Sequence, residues 1–237
     1  MYERLYFIGY GFDLHHGIKS GYLDYREWLE KNNRSLLEDI DKLYDFCDDD
    51  WWSDFEHSLG NIDVAKIANE IYAERRPDFG SEGFRDRDYY EARIEAELIF
   101  DKLYKNIRES FKEWIKSLDK GQEDKMVYLN INNAAFINFN YTNTLQDLYG
   151  ISDNDVYSIH GNVAKGTNLV LGHGKTEDQI SPKKPVMPEG LSDEQREKWL
   201  DDNATDYSYD ITENEVVSQV LKQKKDVAKI IAGNERL

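Results

Sequence analysis

The sequence predicts an α/β fold in which a mostly parallel sheet is interrupted by a large helical insertion. Short apolar runs recur at Leu5-Tyr6-Phe7-Ile8, Ala134-Ala135-Phe136-Ile137, Val156-Tyr157-Ser158-Ile159 and Asn168-Leu169-Val170-Leu171, closing on glycine, asparagine or histidine clusters. Continuous apolar runs, unlike alternating ones, suit strands buried on both faces, as in a parallel sheet. The stretch between the first and second runs reads as helical almost throughout 22–118. Helical patterns return after the last run.

Each element has a local reason. After the first strand a helix is expected near Asp13, whose short carboxylate makes a good N-cap, and Gly17 stops it early. A second helix begins over 22–29. Between 89 and 118 the apolar positions Ile94, Leu98, Leu103, Ile107, Phe111, Ile115 and Leu118 recur at steps of three to five, which predicts one buried stripe of a long helix. The segment 76–83, rich in glycine and charge, reads as an exposed loop. The second strand ends in Asn138-Phe139-Asn140-Tyr141-Thr142, with Thr142 expected to cap a helix over 143–149 and Gly150 to end it. Three of the four prolines fall in 181–188, a linker or lid. Helices are expected over 193–202 and 213–231. The organisation expected is one α/β domain over 1–237, with core strands within 4–20 and 125–175, the insertion over 22–120 and C-terminal helices over 189–237.

Composition excludes several functions. Thirty Lys and Arg against 47 Asp and Glu leave a net charge of −17, which repels a phosphate backbone, so nucleic acid is not an expected partner. A single cysteine, Cys47, excludes an intramolecular disulfide and a multi-cysteine zinc site. No apolar stretch is long enough to span a membrane, and the N-terminus lacks the pattern of a signal peptide, so a cytoplasmic protein is expected.

In an open α/β sheet ligands bind outside the carboxyl ends of the strands, so clusters remote in sequence should meet there. Gly9-Tyr10-Gly11-Phe12-Asp13 follows the first strand; its glycines let backbone approach a ligand, and N–H groups after Gly11 can hold an anion, with Lys19 as a helper. A third glycine, usual in dinucleotide fingerprints, is replaced by Leu14. Asp13 reads either as a cap or as a carboxylate aimed at ribose hydroxyls. Adjacent His15 and His16 point about 100° apart on a helix, so they cannot share a metal; one should pack and the other be exposed. His57 reads as surface. Trp51, Trp52 and Phe55 read as core, Glu56 as a candidate to line the cleft, 48–50 as a solvated cap, and Cys47 as a small buried hydrophobe. No metal site is expected.

Several segments together resemble a known family. Gly9-Tyr10-Gly11-Phe12-Asp13-Leu14-His15-His16-Gly17-Ile18, Trp52-Ser53-Asp54-Phe55-Glu56, the Asn138–Thr142 segment continuing into Asn143-Thr144-Leu145, Ile159-His160-Gly161 and Leu171-Gly172-His173-Gly174 look like the AbiH-type bacterial abortive-infection proteins. More distantly the set is similar to the sirtuin-like NAD-binding superfamily, matched at Gly9, Gly11, Gly17, Ile18, Asn140, His160 and Gly161. That resemblance implies a Rossmann-like (sirtuin-like) fold, NAD or a related nucleotide as ligand, and hydrolysis of its N-glycosidic bond in anti-phage defence. It implies Asn140, His160 and Asp13 as catalytic residues: Asn140 to hold water or a ribose hydroxyl, His160 to accept a proton near neutral pH, Asp13 to stabilise developing positive charge. Nucleotide binding is then expected of Gly9, Gly11, Phe12, Gly17, Ile18, Thr142, Gly161, Gly172 and His173. Asp13 stands where sirtuins carry serine, Thr142 where they carry aspartate, and the four zinc cysteines are missing, which disfavours protein deacetylation. The Gly-His-Ser-Leu motif typical of the family does not occur before Leu237. Its lack favours the alternative of a non-catalytic nucleotide- or partner-sensing module, triggered by a phage or host protein. A homo-oligomer is compatible with either.

Overall fold

The computed structural model describes residues 2–225 except 46, 79, 165, 167 and 168. In chain order the elements are β1 (Arg4–Ile8), α1 (Tyr10–His15), α2 (Tyr22–Asn32), α3 (Arg34–Leu43), α4 (Asp49–Ser53), α5 (Phe55–Ser58), α6 (Val64–Arg75), α7 (Glu91–Ser117), β2 (Ala134–Asn138), α8 (Thr144–Tyr149), β3 (Val156–Ser158), α9 (Glu177–Ile180), α10 (Asp193–Asp202) and α11 (Tyr207–Leu221). The fold is α/β, with an open three-stranded sheet in the order β1-β2-β3, parallel throughout.

The chain forms two compact units. One comprises 1–59, 103–174 and the segment from 224; the other comprises 60–102 and 175–223. In the first, Ile8, Ala134, Phe136, Leu145, Ile151 and Val156 form the core on the sheet, with Tyr6, Phe12, Leu129 and Tyr149 packed against it. Away from the strands the same unit holds an aromatic core. Trp52 and Phe55 stack with centroids 5.1 Å apart, and Tyr25 meets Phe111 and Trp114 at 5.0 and 5.1 Å. Rings of this size bury enough apolar area to fix short helices that have little stability alone. In the second unit α6 packs against α11. Arg93 pairs with Glu215 at 2.9 Å, and Tyr72 meets Tyr209 edge-on at 5.8 Å.

Several expectations need correction. Asp13 lies inside α1, whose N-cap is Gly9, so its carboxylate is turned to other work. Thr142 does not cap α8: the N-cap is Asn143, which makes no side-chain cap because its Oδ1 accepts from Asn162, and the Thr142 hydroxyl donates to Asp13 instead. The fourth strand is not formed over 169–171, where one backbone bond, Val170 N–H to His160 carbonyl at 3.0 Å, replaces a ladder; Asn168 lies outside the described residues. Ile94 and Leu98 are exposed, and the buried face of α7 runs through Ala92, Ala96, Phe100, Leu103, Tyr104, Ile107 and Phe111. Leu103, Ile107, Phe111 and Ile115 are buried as expected, and the stripe is shifted only in its first turns, where alanines pack because they are small. The last helix begins at Tyr207, six residues early, because Asp206 accepts from the Ser208 N–H; the part expected over 226–231 lies outside the described residues. Gly150 ends α8 in the left-handed conformation (φ 62°), as expected.

Candidate functional site

The sheet register fixes the site. Ile8, Asn138 and Ser158 stand side by side at the carboxyl ends of β1, β2 and β3. The segments leaving the three strands therefore emerge at one edge: Gly9, the 139–142 turn, and Ile159-His160-Gly161. Backbone bonds continue the pairing, Phe139 N–H to Ile8 carbonyl at 2.8 Å and Ile159 N–H to Asn138 carbonyl at 2.9 Å.

Asn138 shapes the central turn from beneath. Its Oδ1 accepts from the Asn140 N–H at 3.0 Å and its Nδ2 donates to the Thr142 carbonyl at 3.3 Å. Asn140 is thereby aimed at β1, where its Nδ2 donates to the Gly9 carbonyl at 3.0 Å. Asp13 is wholly buried, and its carboxylate collects three hydroxyls: Ser20 at 2.9 Å, Thr142 at 2.7 Å and Thr144 at 2.6 Å. These hydroxyl donors satisfy the carboxylate with dipoles and bring no compensating cation.

A cleft of about 590 Å³ opens here, lined among others by Tyr10, Asp13, Lys19, Tyr22, Asp24, Phe139, Asn140 and Tyr141. That size suits a small-molecule ligand. Gly9 and Gly11 stand at this turn with negative φ, and a Cβ on either would meet nothing within 4 Å. Neither backbone conformation nor internal packing requires a glycine there, so these residues leave room for something else to approach the main chain. Residues fit for a nucleotide line the cleft: one lysine for phosphate, aromatic faces for a base and an amide for ribose. A smaller cleft of about 230 Å³, lined by Ile18, Lys116, Thr142, Asn143 and Val163 among others, lies in the same unit.

Behind Tyr141 sits a second, differently built centre. Tyr141 donates to Glu56 and, at 3.1 Å, to the Val170 carbonyl. The other Glu56 oxygen meets Lys225 Nζ at 2.6 Å. Lys225 also reaches His160 Nε2 at 3.3 Å, and the His160 ring stacks on Tyr141 with centroids 5.3 Å apart. Since the ammonium can only donate, Nε2 accepts and the His160 proton resides on Nδ1, which is buried without a partner. Burial, reinforced by the Lys225 charge and opposed by Glu56, pushes the His160 pKa down to about 4. Burial also lowers the Lys225 pKa against the pull of Glu56, and raises the phenols of Tyr22 and Tyr141 well above their usual range. His160 is thus neutral at physiological pH and a weak base, which corrects the expectation of a proton acceptor poised near neutrality.

Of the residues expected at the site, Asp13 and Asn140 line the larger cleft, and Asn140 ties itself to the Gly9 carbonyl, while neither Gly9 nor Gly11 is among the lining residues. Thr142 and Ile18 line the smaller cleft, and Thr142 supports Asp13. Phe12 packs against His16 and Tyr149, at 4.4 and 5.6 Å. Gly17 (φ 76°) ends α1, and Gly161 (φ 81°) makes the turn after β3. His173 is buried, and its carbonyl accepts from the Lys225 N–H at 2.6 Å beside Gly172. His160 lines neither cleft. His16 is buried between the Phe12 carbonyl and the Tyr149 hydroxyl while His15 is exposed, which matches the expected division. Lys225 carries no local signal, because a lysine in the run 222–225 looks solvated until tertiary structure places Glu56 beside it. Asp24 has one, the Gly21–Asp24 capping pair, with the Gly21 N–H donating at 3.1 Å.

Among the described residues no group of three or more His, Cys, Asp or Glu could hold a metal ion, and no helix is long and apolar enough to cross a membrane. A family model described as "Bacteriophage abortive infection AbiH" matches residues 5–236. Comparison with curated proteins and with solved structures returns no match.

Proposed function

Because the chain belongs to the AbiH family of bacteriophage abortive-infection proteins and so serves phage defence, we propose that it acts by binding NAD or a related nucleotide in the larger cleft and hydrolysing its N-glycosidic bond. The observation that carries this is a cleft lined by Asn140 and by Asp13, whose buried carboxylate is held in place by three hydroxyls and no cation. Breaking the bond between nicotinamide and ribose sends the electron pair to the ring nitrogen, which leaves neutral, and the sugar passes through an oxocarbenium-like state. A fixed negative charge in a partly desolvated cleft stabilises that cation without rearranging during the reaction. Asn140, its amide group anchored on Gly9, presents its side-chain oxygen to a ribose hydroxyl or the attacking water. Water forms the new C–O bond and its proton leaves to solvent.

The test is nicotinamide release from NAD by the purified chain, with Asn140→Ala and Asp13→Asn alongside. Turnover unchanged in both variants overturns the reading. Gly11→Ala separates binding from folding: an alanine in α1 should raise stability by up to about 1 kcal/mol while weakening nucleotide binding.

A second reading, nucleotide sensing without turnover, is favoured by one observation. His160 stands behind Tyr141 and is a weak base. Calorimetry with NAD and ADP-ribose that detects binding, without product in the first assay, selects it.

A further inference from the structure

We propose that the larger cleft is a receptor for a cationic aromatic ring of the pyridinium type, held between tyrosine faces and carboxylates that the fold leaves without a countercharge. This deepens the nucleotide reading, on which it rests only for the natural ligand, the oxidised nicotinamide ring.

Three features converge. The walls are aromatic: Tyr10, Tyr22 and Phe139 line the cleft, with Tyr10 and Phe139 48% and 36% exposed. An aromatic face is electrically negative and attracts a cation laid on it. The charges on the wall are acidic and unpaired. Asp13 is held by three hydroxyls and Asp24 by the Gly21 N–H, and neither forms an ion pair among the described residues. Burial first, then the charges of Asp24 and Asp13, raise the Tyr10 phenol, so its ring stays neutral. Finally, the same unit compensates a partly buried carboxylate where none is needed for a ligand, since Glu56 is given Lys225. The contrast leaves Asp13, buried among hydroxyls, and the partly exposed Asp24 without an ion-pair partner among the described residues, so a cation entering the cleft meets their field. Lys19, the one cationic side chain on this wall among the described residues, is then free for the anionic part of the ligand. A neutral dihydropyridine of the same shape forfeits the electrostatic part of the fit.

The probes are the 1-methylnicotinamide cation and neutral nicotinamide, followed by oxidised and reduced NAD, titrated calorimetrically into the full chain. The cation should bind at least about tenfold more tightly than neutral nicotinamide, and oxidised NAD more tightly than reduced. Tyr10→Leu should weaken cation binding roughly three- to tenfold and neutral nicotinamide binding by less, and Asp24→Asn, which keeps an acceptor for the Gly21 N–H, should weaken cation binding by a similar factor with neutral nicotinamide binding unchanged. Equal affinity for cation and neutral ring, no binding of either, or a preference that survives both variants overturns the proposal. Binding of ADP-ribose without the cation overturns it while leaving the nucleotide reading intact; binding of the cation without ADP-ribose or NAD sustains it and overturns that reading.

Discussion

Two carboxylates in the same unit, Glu56 partly buried and Asp13 wholly so, have opposite surroundings. Glu56 is neutralised by Lys225 and touched by Tyr141; Asp13 is embraced by three hydroxyls and no cation. The first arrangement is a brace. It ties the 224–225 segment, which also pairs with His173, to α5 and the turn after β2. The second is a charge kept in place and left uncompensated beside an open cleft. The same unit thus supplies an ammonium to one carboxylate and only hydroxyls to the other.

The comparison breaks most visibly at the brace. Lys225→Met strands the Glu56 charge in a site where the lysine side chain is 7% exposed, and should lower unfolding free energy by about 3–5 kcal/mol. The double variant Glu56→Gln/Lys225→Met should regain most of it in chemical denaturation. If the double variant is no better than the single, the pair is not the source of the loss. At the other centre Asp13→Ala leaves three hydroxyls without their acceptor and should cost about 1–3 kcal/mol, with Asp13→Asn nearer the lower end and either variant depressing nucleotide turnover far beyond what stability explains.

A further effect is in pH. His160 is depressed from about 6.5 to about 4 on folding, so the unfolded chain binds the extra proton between those values. Stability contributed by the neutral ring is fully present above pH 6.5 and is lost as pH falls through that window towards 4. His160→Gln should flatten that part of the denaturation profile against pH. A slope of equal size in the variant assigns the dependence to carboxylates instead.

Three of the four expected strands and the end of α8 were legible because their causes are local: apolar runs for β1, β2 and β3, and Gly150 in its left-handed cap. The meeting of Gly9 with Asn140 was legible too, since a parallel sheet delivers its carboxyl ends to one edge. What the sequence hid was competition. Thr142 had a helix to cap but found a buried carboxylate, a stronger acceptor; Asn143 was taken by Asn162. Ile94 and Leu98 have the right period and the wrong phase, because Ala92 and Ala96 pack where larger side chains would not. The partnership of Lys225 with Glu56 spans most of the chain, and no local pattern announces it.

Cys47 has a practical corollary. It is the single thiol of the chain, it lies 3% exposed, and burial pushes its ionisation up, out of reach of ordinary alkylating reagents. A cysteine introduced at Leu23, on the cleft rim and 43% exposed, would therefore be the sole handle for a fluorophore. Such a label would report occupancy of the cleft directly, without waiting for any product to appear.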